Sequence, residues 1–241
     1  MLGFLSAPIG VAYHIVVVLS VLLNPIGSGL ATAAAIVAFT AGVRLLLCPL
    51  SYHAFRGQAR LSALQPKITE LRKRYQNRPE KMQQELAAVY RAEGGGVLAG
   101  CLPLLLQLPF FSIMYRLFLS ATVAGRPNSL LTRDLLTTPL GSHWLAGAGP
   151  ASTQGLLFLV LFALLAGAAF VAARVSRTAG PGLVTAGQPG GLSLVSRILP
   201  YTTVVIAAFV PLAAGIYLLT TTVWTAAERA LLRRWANPPA R

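Results

Sequence analysis

One arginine sits inside an apolar run, and its chemistry is the first in this chain to need a reason. Arg44 lies within Ser28 to Leu50, SGLATAAAIVAFTAGVRLLLCPL. At about 1.5 Å of rise per helical residue, that run is long enough to cross a bilayer core of roughly 30 Å. Arg44 falls about 9 Å from its C-terminal end. A charge of this kind costs about 2.5–3.5 kcal/mol near mid-helix, so it is expected to face water, a partner or a substrate path rather than lipid. Thr40, Cys48 and Ser51 share its helical face, and Tyr217, Thr221, Thr225 and Glu228 form a comparable strip on the last apolar run, with Trp224 beside it. Gln107 adds an amide from another run. Two polar strips and an amide predict a hydrated cavity inside a helical bundle, open to the cytoplasm.

The residues alone leave two readings of Arg44. It forms a structural ion pair with Glu228 while the threonines bond to their own helix backbones. Or it stays without a fixed acid partner, able to attract a passing negative group where the dielectric is low.

Catalysis has little to stand on. There are six acidic residues, none in the middle of an apolar run, and the three histidines, His14, His53 and His143, fall in three separate regions. No HExxH helix or GxSxG elbow occurs, and Cys48 and Cys101 match no metal or disulfide spacing. No catalytic residue, metal or cofactor is expected.

Stepping outward from these residues, the whole chain reads as one membrane domain. Of its 241 residues 55% are hydrophobic and 11% charged, with a mean hydropathy of +0.67, which is the composition of a multi-span protein. Residues 1–27 show no signal-peptide or transit pattern and are read as an N-terminal interfacial helix, since Pro8 and Gly10 shorten its apolar part; the rival is a further span. Residues 28–241 then form the core. Spans are predicted at about 28–50, 98–120, 153–173, 194–209 and 212–232, the last two divided at Pro211.

Between the first two spans, residues 51–93 carry apolar stripes at helical spacing, Leu61, Leu64, Ile68, Leu71 and Tyr75, then Met82, Leu86, Val89 and Tyr90, with a break at Asn77-Arg78-Pro79. They predict a helical hairpin. Its basic run Arg72-Lys73-Arg74, with Arg78, suits solvent, anionic headgroups or ribosomal RNA. Residues 121–152 read as a polar-mixed loop, and 174–197, rich in glycine and proline, as a flexible connection. Five spans put nine Lys/Arg of the hairpin, three of the connection and four of the C-terminus on one side, sixteen of the twenty in all. Positive residues mark the cytoplasm, so the N-terminus is expected outside and the C-terminus inside. The net charge of +14 is thus topological.

TAGVRLLLCPL (Thr40 to Leu50), ALQPKITELRKRYQNRPEKMQQELAAVYRAEG (Ala63 to Gly94) and GCLPLLLQLPFFSIMYRLF (Gly100 to Phe118), in that order, closely resemble the YidC/Oxa-type membrane protein insertases. The likeness continues more weakly after Ala121 through Pro200, Pro211, Tyr217 and Thr225. It implies an all-α core of five transmembrane helices with a cytoplasmic hairpin and a groove open to cytoplasm and lipid. Arg44 would attract the acidic outer tail of an incoming single-span protein, while Thr40, Gln107, Tyr217, Thr221 and Thr225 line the groove. Partners would be nascent membrane proteins, the ribosome, the Sec translocon and lipids, with no nucleotide, metal or small-molecule substrate, in the bacterial plasma membrane. Departures are Gly96-Val97 before the GCLP motif, where the family often has Asn-Pro, and Leu218 in place of an aromatic after Tyr217. The lack of a lipoprotein cysteine and of a large external domain suggests a compact bacterial form. Two other classes share the features: a small anion transporter or channel, and an RNA-binding membrane anchor.

Overall fold

The computed structural model describes residues 6–92, 113, 116–120, 122–123, 125–146, 152–177 and 201–236. Helix α1 (Ser6–Leu22) is followed by a short turn at Asn24–Ile26, and Gly27, at φ +99°, takes the left-handed conformation that lets the chain reverse into α2 (Ser28–Leu46). The two helices pack against each other. Their contact faces carry Ala12, Val16 and Ser20 on one side and Ala31, Thr32, Ala35, Ile36 and Phe39 on the other, all buried.

Helix α2 stops at Leu46, short of the predicted end of the span at residue 50. Pro49 is the reason, since it has no N–H to give the Leu45 carbonyl. A new helix, α3 (Cys48–Ala63), begins around it. The same device recurs at α4 (Gln65–Arg74), with Pro66 in its first turn, and at α5 (Pro79–Ala92). Helices α4 and α5 pack as a hairpin around Leu64 and Ile68, which meet Leu86 and Val89. Lys73, Arg74 and Arg78 are exposed on it.

Helix α6 (Thr153–Arg177) runs four residues beyond the predicted end of its span at 173. Nothing in Arg174-Val175-Ser176-Arg177 breaks a helix, and the Arg174 guanidinium stacks 4.9 Å from the Phe170 ring centre. A short helix, α7 (Thr202–Ala207), leads through Pro211 to α8 (Leu212–Ala236). Helix α8 packs against both α6 and α2 and so holds the bundle together. The core gathers Ile36, Phe39, Phe158, Leu161, Leu165, Leu212, Ala213, Ala214 and Tyr217. Its small residues matter because, with apolar surroundings on every side, close van der Waals fit rather than escape from water holds helices together.

The predicted loop at 121–152 is instead ordered over residues 125–146 into a cap on the bundle. Two short antiparallel ladders, β1 (Thr122–Val123) with β2 (Arg126–Pro127) and β3 (Asp134–Leu135) with β4 (Thr138–Pro139), shape it. Leu130 and Leu140 are fully buried and join the core. Asn128, 2% exposed, donates through Nδ2 to the carbonyls of Leu117 (2.7 Å) and Ser120 (3.1 Å), and its Oδ1 accepts from the Leu130 N–H (3.2 Å). The first turn of α8, whose N–H groups have no partner within the helix, donates to the carbonyls of Ser142 (3.0 Å) and Leu140 (2.9 Å). At the other contact, Gly29 of α2 lies so close to the Asp134 carbonyl that no side chain fits between them.

Two helices, over Gly29–Leu46 and Thr153–Val175, are long and apolar enough to cross a membrane, and α1 has a shorter apolar stretch, Pro8–Leu22. Val11, Val18 and Leu22 of α1 and Leu156, Val160, Leu164 and Val171 of α6 are exposed, leaving apolar outer faces of the kind that meet lipid or another protein. The predicted second span lies mostly outside the described residues, as do most of the fourth and the connection beyond Arg177.

Candidate functional site

The site forms where α2 and α8 face each other. Because α2 ends at Leu46, Arg44 occupies its last turn, where the helix dipole favours a cation. Its Nε is buried and has no hydrogen-bond partner. Among the described residues it makes no ion pair. Thr221 Oγ1, Trp224 Nε1 and Glu228 Oε1 on α8 are likewise buried without a hydrogen-bond partner. These three residues follow the helical repeat, so α8 turns one polar face into the site.

Tyr217 is 6% exposed and lies over Phe118, ring centres 6.1 Å apart. Its hydroxyl is directed toward Thr221 and lies within electrostatic reach of Arg44. The Cys48 thiol, one helical turn beyond Arg44, faces the Glu228 carboxylate. The sequence left open an Arg44–Glu228 ion pair, and in this structure the two groups are not joined.

The threonines divide into two kinds. Thr40 is fully buried and gives its hydroxyl to the Ile36 carbonyl of its own helix at 2.7 Å. Thr225 bonds the Thr221 carbonyl at 2.8 Å, and Thr220 and Thr222 also bond back along α8. Only the Thr221 hydroxyl, among the threonines of these two polar strips, is buried with nothing to bond to. Arg44, Tyr217 and Thr221 are therefore brought together, Thr40 is turned to its own backbone, and Gln107 lies outside the described residues. Trp224 and Glu228 belong to the site although neither was a predicted groove residue; their spacing from Thr221, three and seven residues, was the available signal. Arg72, Lys73, Arg74 and Arg78 lie apart from it, on the α4–α5 hairpin. Among the described residues no cluster of His, Cys, Asp and Glu could hold a metal ion.

The arrangement can do one kind of chemistry. Leaving a polar group dry and unbonded costs about 1–3 kcal/mol, so four such atoms together suit a space that water or an outside polar group enters. No nucleophile and base are paired here. Its means of acting is attraction, from a cation at one level and an anion at another.

Comparison with known proteins agrees in region with this geometry. The family model described as 60Kd inner membrane protein matches residues 25–238. Proteins named Membrane protein insertase YidC are similar over the middle of the range: that of Acidiphilium cryptum is 41% identical over 102 residues, 42% of this chain and 17% of the relative. That of Clostridium perfringens is 38% identical over 113 residues, 47% of this chain and 48% of the relative. That of Cupriavidus taiwanensis is 40% identical over 93 residues, 38% of this chain. The matched stretch thus spans less than half of each of these relatives.

Proposed function

This chain belongs to the 60Kd inner membrane protein family, the YidC/Oxa group, and from that premise we propose that it inserts other proteins into the membrane. The observation that carries the reading is the Arg44 guanidinium, its Nε buried and unbonded beside the orphaned Thr221 hydroxyl. A single-span client carrying an acidic tail meets that cation in a groove where water is scarce and Coulomb attraction correspondingly strong. Once the tail is drawn in, the apolar segment behind it leaves sideways into lipid, along helices whose outer faces are already apolar. The energy comes from burying the client's own apolar residues, so no nucleotide, metal or catalytic residue is needed.

In this reading five spans place the α4–α5 hairpin and the C-terminus in the cytoplasm and the cap at 122–146 outside. Helix α1 lies at the outer interface against the cap, where Ile9 meets Val123 and the Tyr13 hydroxyl bonds Ser129 at 2.8 Å. Thr40, Gln107, Tyr217, Thr221 and Thr225 belong to the groove and its walls. The exposed basic residues of the hairpin meet the ribosome as it delivers a nascent chain, with or without the Sec translocon.

The test is reconstitution. Liposomes carrying the purified protein should insert a single-span client with an acidic tail more than protein-free liposomes do, and should show no added chloride or phosphate flux. Flux without insertion would replace this reading by an anion path alternately open to either side.

A further inference from the structure

The Proposed function uses Arg44 and leaves Glu228 without a role, although a carboxylate beside the path of an acidic tail would repel it. Glu228 is the sole acidic residue after Asp134 in the chain. Its Oε1 is buried and unbonded, and neither Arg44 nor any other described residue closes an ion pair with it. A buried carboxylate in that condition is costly, and a structure retains one where something outside supplies the missing charge.

The two charges are ordered along the bundle. Helices α2 and α8 both start at the cap, α2 with Gly29 against Asp134 and α8 with its first N–H groups on Ser142 and Leu140. Arg44 acts on Tyr217, in the second turn of α8. Glu228 stands in the fifth turn, beside Cys48 and at the end from which the hairpin leaves. Tyr217 and Glu228 are about 16 Å apart along the helix axis. The cation is therefore near the cap and the anion near the hairpin.

Resting on the insertase reading, we propose that Glu228 is a second client-binding point, which takes a lysine ammonium or arginine guanidinium, so that the groove reads the order of charges in the entering chain. A segment entering from the hairpin side with its tail leading presents its acid to Arg44 first. A base that follows the acid by about 5 residues of extended chain, or about 11 of helix, then reaches Glu228. With the order reversed, each client charge meets its like. Discrimination comes from repulsion as much as attraction, which is how sites reject close alternatives.

The experiment uses two single-span clients of equal net charge that differ only in tail order, acid then lysine or lysine then acid, eight residues apart in each, inserted by the full chain in liposomes. Wild type should insert the acid-first client at least about fivefold better, and Glu228→Gln, which keeps the side-chain shape, should insert both alike. Glu228→Lys should reduce the acid-first client below the Glu228→Gln level. Equal insertion of the two clients by wild type, or a preference that survives Glu228→Gln, overturns the charge-order proposal and leaves the insertase reading standing. Failure of wild type to insert either client above protein-free liposomes overturns both.

Discussion

Arg44 and Glu228 stand on the facing helices α2 and α8, carry opposite charges into one interior, and are not joined by an ion pair. A closed pair would have neutralised both and left the interior inert. Kept apart, at the levels of Tyr217 and Cys48, each remains able to act on a third charge. The separation follows from the helix break at Pro49, which puts Arg44 in a last turn with Cys48 opening the next helix.

The cap should fail when Asn128 is removed. Asn128→Ala takes away both donations to the Leu117 and Ser120 carbonyls and the acceptor of the Leu130 N–H. The expected loss is about 1–3 kcal/mol. It would appear as a lower melting temperature in detergent and faster proteolysis within residues 122–146; unchanged values for both would mean that these bonds do not hold the cap.

Two glycines of one helix should respond oppositely. In Gly29→Ala the new carbon meets the Asp134 carbonyl, and the expected cost of the displaced backbone is about 1–3 kcal/mol. In Gly42→Ala the new carbon meets nothing, so the helix should gain up to about 1 kcal/mol. Thermal unfolding of the two variants side by side measures the difference.

The hairpin can be tested without touching the groove. Ile68, 2% exposed against Leu86 and Val89, is its most buried contact. Ile68→Ala should loosen α4 from α5 by about 2–5 kcal/mol, read as faster amide hydrogen exchange over residues 65–92. Replacing Arg72, Lys73, Arg74 and Arg78 by glutamine should weaken ribosome co-sedimentation and flatten its dependence on salt. Salt dependence unchanged by the replacement would move ribosome contact elsewhere.

The helices were legible where proline or periodicity wrote them. Pro66 and Pro79 each stand in the first turn of the helix they open, and the apolar stripe of 61–90 gave the hairpin. The cap was not legible, because its order comes from Asn128 and from carbonyls bonded to α8, partners distant in sequence and without any repeat. The site was half legible. Spacing placed Arg44, Tyr217 and Thr221 on facing strips, but it cannot tell which hydroxyls turn back to their own helix, as Thr40 and Thr225 do, and which remain unbonded, as Thr221 does.

The central claim is that a cation in the groove attracts the client, and the most direct measurement is the insertion rate of single-span clients with acidic tails by wild type, Arg44→Ala and Arg44→Lys in the same liposomes. Arg44→Ala should lose most of the insertion of clients with two or more tail carboxylates, by about tenfold or more where the attraction exceeds roughly 1.4 kcal/mol, and little for a client whose tail is neutral. Arg44→Lys should restore most of the loss. Equal rates for wild type and Arg44→Ala across several acidic-tailed clients would contradict the account.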